Sequence, residues 1–146
     1  MNDQPIPSQD DKIVAALAHA AAVLPLWGLL VSILIWVTQR EKSEYIRQQS
    51  MQALAWQVLQ IWIFLGGMVL YVSSFSLVFG SIFLLQEVPS DAPPPGFFVP
   101  VCVFGLIFLS FFVTIVVALY AAVRNLQGHP FIYPIVGPRV QNYLTR

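Results

Sequence analysis

Three long stretches of this chain contain no Asp, Glu, Lys or Arg: 13–39, 51–86 and 97–123. An α-helix rises about 1.5 Å per residue, so about 20 apolar residues cross the roughly 30 Å hydrocarbon core of a bilayer. Each stretch exceeds that length. Backbone N–H and C=O groups in lipid have no water to bond, so a spanning segment must satisfy them internally and is helical. The expected fold is therefore all-α: a polytopic membrane protein with a bundle of three transmembrane helices near 13–38, 52–86 and 97–124. Composition points the same way. Of 146 residues, 58% are hydrophobic and 10% are charged, whereas a soluble domain carries about 25% charged residues.

The segments between the apolar runs divide the chain. Residues 1–12 read as a disordered polar N-terminus, 13–128 as the transmembrane domain and 129–146 as an interfacial tail. The N-terminus is acidic and contains Pro5 and Pro7, unlike the basic start of a signal peptide, so the first run is expected to be a retained helix. Pro25 lies inside that run and is expected to kink it or to mark a re-entrant hairpin. The run 52–86 is too long for one upright crossing, so its Gln-rich start is expected to emerge at the cytoplasmic surface. The Pro-rich loop 87–96 cannot be helix interior.

Arg40, Lys42 and Arg47 in the first loop, and Arg124, Arg139 and Arg146 near the end, face a loop at 87–96 without Lys or Arg. The positive-inside rule puts the first loop and the C-terminus in the cytoplasm. With three crossings the N-terminus then lies outside, and the expected location is the plasma membrane. Trp36, Trp56 and Trp62 fall near the inner boundary, as an aromatic belt does. The charges of the chain sum to zero, which gives no footprint for nucleic acid.

Within the helices, small and polar residues recur at seven-residue spacing. Gly66, Ser73 and Gly80 form one stripe; Gly67, Ser74 and Ser81 form its neighbour; stepping back leads to Gln60. Two turns separate such residues, so each stripe lies on one face and makes a candidate seam for helix packing or for a partner. His19, Gln52, Gln57 and Gln60 are the polar groups inside or beside the runs. His19 is a candidate proton-sensing or partner-binding group near the outer interface, and a satisfied packing contact is the plainer reading. No Asp, Glu, Lys or Arg lies within the helix cores, no zinc or phosphate-loop motif is present, and Cys102 stands alone. No catalytic residue, cofactor or metal is therefore expected.

The third run ends in Arg124-Asn-Leu-Gln-Gly128 followed by His129-Pro130, a helix stop by sequence. The segment after it, Phe131-Ile-Tyr-Pro134, is aromatic and broken by Pro, and Val136–Arg146 is expected to form a short interfacial helix.

Three motifs together resemble a known family. They are Ala15-Ala-Leu-Ala-His-Ala20; Tyr45-Ile-Arg-Gln-Gln-Ser-Met-Gln-Ala-Leu-Ala-Trp-Gln57; and Tyr120-Ala-Ala-Val-Arg-Asn-Leu-Gln-Gly-His-Pro-Phe-Ile-Tyr-Pro134. The chain is similar to small bacterial membrane proteins related to the twenty-kilodalton subunit of the chloroplast inner-envelope protein import channel. It departs at Gln49, Gln52 and Ala55, where that family carries His, Glu and Asn. The resemblance marks His19, Gln49, Gln52, Gln57, Asn125, Gly128, Tyr133 and Pro134 as motif residues. It implies a non-enzymatic membrane scaffold or complex subunit, translocon-like, with the lipid bilayer, other membrane proteins or further copies of itself as partners. The alternative is a self-assembling channel or small-solute carrier using the Gln and Ser/Gly stripe.

Overall fold

The computed structural model of the protein describes residues 6–24, 26–85 and 96–145. Residues 1–5, Pro25 with its expected kink, and the Pro-rich loop up to Pro95 lie outside the described residues. Every regular element among the described residues is helical: α1 (Gln9–Ala20), a 3-10 turn (Ala21–Val23), α2 (Trp27–Gln39), α3 (Glu44–Leu85), α4 (Phe98–Leu126) and α5 (Gly137–Leu144).

Over 13–38, where a kinked helix or a re-entrant hairpin was expected, the chain folds into two helices. α1 opens on a capping box: the Asp11 amide donates to Ser8 Oγ and the Ser8 amide to Asp11 Oδ2, both at 3.1 Å. Small residues then let a neighbour come close, with Ala15, Ala16, Ala18 and Ala22 all buried. Gly28 in the first turn of α2 packs on the 3-10 turn so tightly that a Cβ there would overlap the Ala21 carbonyl oxygen. Leu26 holds φ at +65°, a left-handed value that is costly for a branched side chain. A continuous apolar run gives the same hydropathy whether it is straight or folded back on itself. The close-approach residues decide the matter.

Two helices, α3 and α4, are long and apolar enough to cross a membrane. α2 is apolar but shorter, at 13 residues. α3 has 42 residues, about 63 Å of helix and twice a bilayer core. It begins at Glu44, inside the segment 39–50 that reads as a polar loop. The reason is that Ile46, Gln49, Ser50, Gln52, Ala53, Trp56, Gln57 and Gln60 are buried along one face, where protein groups bond polar atoms of Gln49, Ser50, Gln52, Trp56 and Gln57.

The chain divides into two compact units, residues 1–60 with 114–146, and residues 61–113. The first has a core of Ala22, Trp56, Ala118, Ala121, Tyr133 and Val136. In the second, Gly67 faces Ile107, where a Cβ would come within 2.7 Å of Ile107 Cγ1. Tyr71 meets Phe104 at 5.8 Å between ring centroids. The two small-residue stripes therefore do different things. Gly67 is a packing position, while Gly66 and Ser73 are exposed, Ser74 and Gly80 are half-buried, and Ser81 is exposed.

α4 ends in a full Schellman motif. Gly128 adopts φ +80°, its amide donates to the Asn125 carbonyl (2.9 Å), and the His129 amide donates to the Arg124 carbonyl (3.0 Å). The Lys12 side chain lies against this turn, with its Cε 2.9 Å from where a Gly128 Cβ would be. The first turns of α1 thus sit beside the last turn of α4. Pro138 occupies the first turn of α5, where a missing N–H costs nothing, and Gly137 and Val140 are its buried residues.

Candidate functional site: a buried polar clasp

Tyr133 is the centre of the first unit and is wholly buried. Its ring stacks on Trp56 at 4.4 Å and 11°, and Phe131 meets it edge-on at 5.0 Å. Trp56 in turn donates its indole N–H to the Thr114 carbonyl at 3.1 Å. A stacked and an edge-on ring pair each add about 0.5–1.5 kcal/mol beyond their buried area.

The hydrogen bonds around Tyr133 fix one another in sequence. The Phe131 amide can only donate, and it reaches Gln49 at 3.2 Å. Gln49 must therefore present its carbonyl oxygen. The same oxygen lies 3.3 Å from His19 Nε2, so that nitrogen carries the proton and donates. His19 Nδ1 is then the acceptor, and the Tyr133 hydroxyl, 2.9 Å away, donates to it. This is one neutral tautomer held by three elements, α1, α3 and the segment after α4. Protonating Nδ1 would take away the acceptor of the Tyr133 hydroxyl proton and leave that proton without a partner in the clasp. Burial also disfavours the charge and holds the His19 pKa down to about 4, with the Gln49 contact opposing part of that shift. Burial pushes the Tyr133 hydroxyl well above its ordinary value, so it stays a donor.

A second set of bonds ties the α1–α2 pair to α3. The last carbonyls of a helix have no partner within it. Ala18, in the last turn of α1, has its oxygen bonded by Ser32 Oγ (2.9 Å) from α2 and by Gln57 Nε2 (3.2 Å) from α3. Gln57 Nε2 also donates to Ser32 Oγ at 2.8 Å. Gln52 Nε2 reaches the Gly137 carbonyl at the start of α5 (3.4 Å). The Tyr45 hydroxyl donates to Asn125 Oδ1 (2.8 Å), while Asn125 Nδ2 donates to the Ala121 carbonyl (2.9 Å). Arg47 Nη2 caps the end of α5 through the Leu144 carbonyl (3.1 Å).

A family model described as the magnetosome magnetite crystal formation protein family, MamF/MmsF, matches residues 10–140. The chain belongs to that family. The match runs from the first turn of α1 into α5, so every bond of the clasp named above except the Arg47 cap on Leu144 falls inside it. It corrects the resemblance drawn from the sequence motifs: the family is not that of the chloroplast import-channel subunit, and the translocon analogy goes with it. Members of this family are membrane proteins concerned with crystal formation. No curated protein and no solved structure matches the chain.

The motif residues mostly meet in this family member. His19, Gln49 and Tyr133 bond one another, Gln52 and Gln57 fasten α3 to α5 and to α1–α2, Asn125 bonds Tyr45, and Gly128 forms the α4 turn. Pro134 lies in an exposed turn, and Gln60 is buried in α3 without a bond from its Nε2. His19 was expected at the opposite membrane face from Gln49 and Tyr133. Because α1 and α2 are separate helices packed on each other rather than one span, it touches both. Sequence reasoning gave Ala18 and Ser32 only a place in a packing stripe and assigned no bond to Tyr45, Ser32 or the Ala18 carbonyl. The seven-residue spacing from Ala18 through Pro25 to Ser32 was the available signal.

Proposed function

We propose that this chain is a non-catalytic scaffold of the magnetosome membrane, acting in magnetite crystal formation by holding membrane proteins or further copies of itself in place. Family membership supports the setting. The observation that carries the scaffold reading is the use made of the polar side chains. His19, Gln49, Gln52 and Asn125 have no exposed surface, and each is bonded to a different helix or helix end. Groups spent in this way hold a shape, which supports the scaffold reading.

In this reading α3 and α4 make the two crossings, and α1–α2 form a re-entrant pair that enters and leaves by one face. The contact of Lys12 with the Gly128 turn supports placing α1's start on the side where α4 ends. Arg40, Lys42, Arg47, Arg124 and Arg139 then all face the cytoplasm, with both termini there. The exposed Gly66 and Ser73 offer a flat face on which a second copy or another membrane protein packs.

The test is replacement in a magnetite-forming bacterium from which its own family member has been removed. Electron microscopy of the crystals should show size and shape restored by the intact chain and not by a His19→Leu/Tyr133→Leu variant. Unrestored crystals, with the intact chain present in the magnetosome membrane, would refute the reading.

A further inference from the structure

Outside the clasp, the first unit carries a cleft of about 550 Å³ where the turn between α2 and α3 meets α5, lined by Trp36, Arg40, Glu41, Glu44, Arg47 and Tyr143. Its size falls within the roughly 300–1,000 Å³ typical of ligand clefts. Its chemistry is mixed in a particular way. Two guanidinium groups and two carboxylates line it, one of each already facing the other as Arg47 and Glu44, so a ligand carrying both signs matches the lining better than an ion of one sign. Arg40 is held flat, its guanidinium carbon 4.5 Å above the Trp36 ring. Arg47 is turned toward α5 by its bond to the Leu144 carbonyl, and its Nε lies 3.4 Å from Glu44 Oε2. The Trp36 indole N–H is buried and has no acceptor among the described residues, a costly state for a donor.

The surface leading to this cleft is apolar. Leu30, Ile33, Leu34 and Val37 are exposed along α2 and lead helically to Arg40 and Glu41. Trp and Tyr favour the headgroup level of a bilayer, and Trp36 and Tyr143 both line the cleft. A ligand that fits all of this has a phosphate, a cation with N–H donors and an acyl body.

We propose that this cleft binds phosphatidylethanolamine. Its phosphate oxygens accept from the Trp36 N–H and the Arg40 guanidinium, and its ammonium donates to Glu41 and Glu44. Its acyl chains lie on the apolar face of α2. Phosphatidylcholine has the same charges but no N–H to give the carboxylates. Phosphatidylglycerol has the phosphate but sets no cation against Glu41 and Glu44. The proposal does not depend on the scaffold reading, because its readout is lipid retention alone.

The experiment is native mass spectrometry of the full chain, delipidated in mild detergent and offered the three lipids in equal amounts. Retention of phosphatidylethanolamine should exceed that of either other lipid by about tenfold, the scale of one charge-assisted contact. Arg40→Gln should lower retention of all three lipids. Glu41→Gln with Glu44→Gln should abolish the preference over phosphatidylglycerol while leaving phosphate binding. These are surface positions, and far-UV circular dichroism checks the fold of each variant. Equal retention of the three lipids, a preference for phosphatidylglycerol in the parent chain, or retention unchanged in both variants would overturn the assignment.

Discussion

The neutral tautomer of His19 makes the stability of the first unit depend on pH in a defined direction. Its pKa is about 4 in the folded protein against 6.5 for an ordinary histidine. Between these values the unfolded chain binds a proton that the folded chain refuses. Unfolding is then favoured by acid, so the contribution is complete above pH 6.5, declines as pH falls and is gone below about pH 4. A difference of about 2.5 pH units corresponds to about 3 kcal/mol. The assay is denaturation in mild detergent, followed by tryptophan fluorescence at pH 7.5, 6, 5 and 4.5, with Trp56 reporting on the stack over Tyr133. The control is His19→Gln, whose amide can accept from Tyr133 and donate to Gln49 without titrating. Carboxylates elsewhere contribute equally to both proteins and cancel in the comparison. The parent should lose stability faster than His19→Gln as pH falls. Parallel profiles for the two proteins would show that His19 is not held neutral by burial, and the chain of donor assignments around Gln49 would fail with it.

Three further outcomes are expected. Tyr133→Phe keeps the Trp56 stack but leaves His19 Nδ1 without its donor, at a cost of about 1–3 kcal/mol in the same denaturation assay; an unchanged midpoint would mean that the hydroxyl is not part of the clasp. Gly28→Ala forces a Cβ into the Ala21 carbonyl and should cost about 3 kcal/mol or more, whereas Gly66→Ala, at a site with no atom within 4 Å, should be neutral or stabilising by up to about 1 kcal/mol. Single cysteines placed at Ser8 and at Thr145 in a Cys102→Ser background should react with an impermeant thiol reagent from the same side of oriented vesicles; labelling from opposite sides would restore a three-crossing order.

Much of the helical content was legible because charge-free runs of this length allow little else. The stop of α4 was legible too, since Gly128 and Pro130 punctuate the chain locally. For the first run, Pro25 signalled a kink or a hairpin without deciding between them. Hydropathy sums side chains without regard to direction, and only the close approach of Gly28 to the Ala21 backbone separates a hairpin from a span. The start of α3 was misjudged for a related reason. Gln49 and Gln52 stand at a polar entry to the run, where bonding across helices and interfacial solvation are both open readings, and their partners, the Phe131 amide and the Gly137 carbonyl, lie more than eighty residues away. The adjacent stripes of α3 were visible as a repeat, but spacing alone could not say that Gly67, rather than Gly66, faces Ile107. The motifs named His19, Gln49 and Tyr133 without joining them, because a spanning first helix puts His19 at the other face, and the family attached to them was wrong.

The bond between His19 and Tyr133 joins residues 114 positions apart. A ribosome adding about 5–20 residues per second takes roughly 6–23 s to make that interval. For much of that time α1, α2 and the start of α3 exist while the hydroxyl that His19 accepts from does not. The Phe131 amide that orients Gln49 is missing for nearly as long. The polar face of this half-built assembly must stay in contact with water or with a chaperoning helix until the last segment arrives. Closure of the clasp is therefore a late event in biogenesis, and any pause in synthesis before Tyr133 holds the chain in an open, protease-sensitive form.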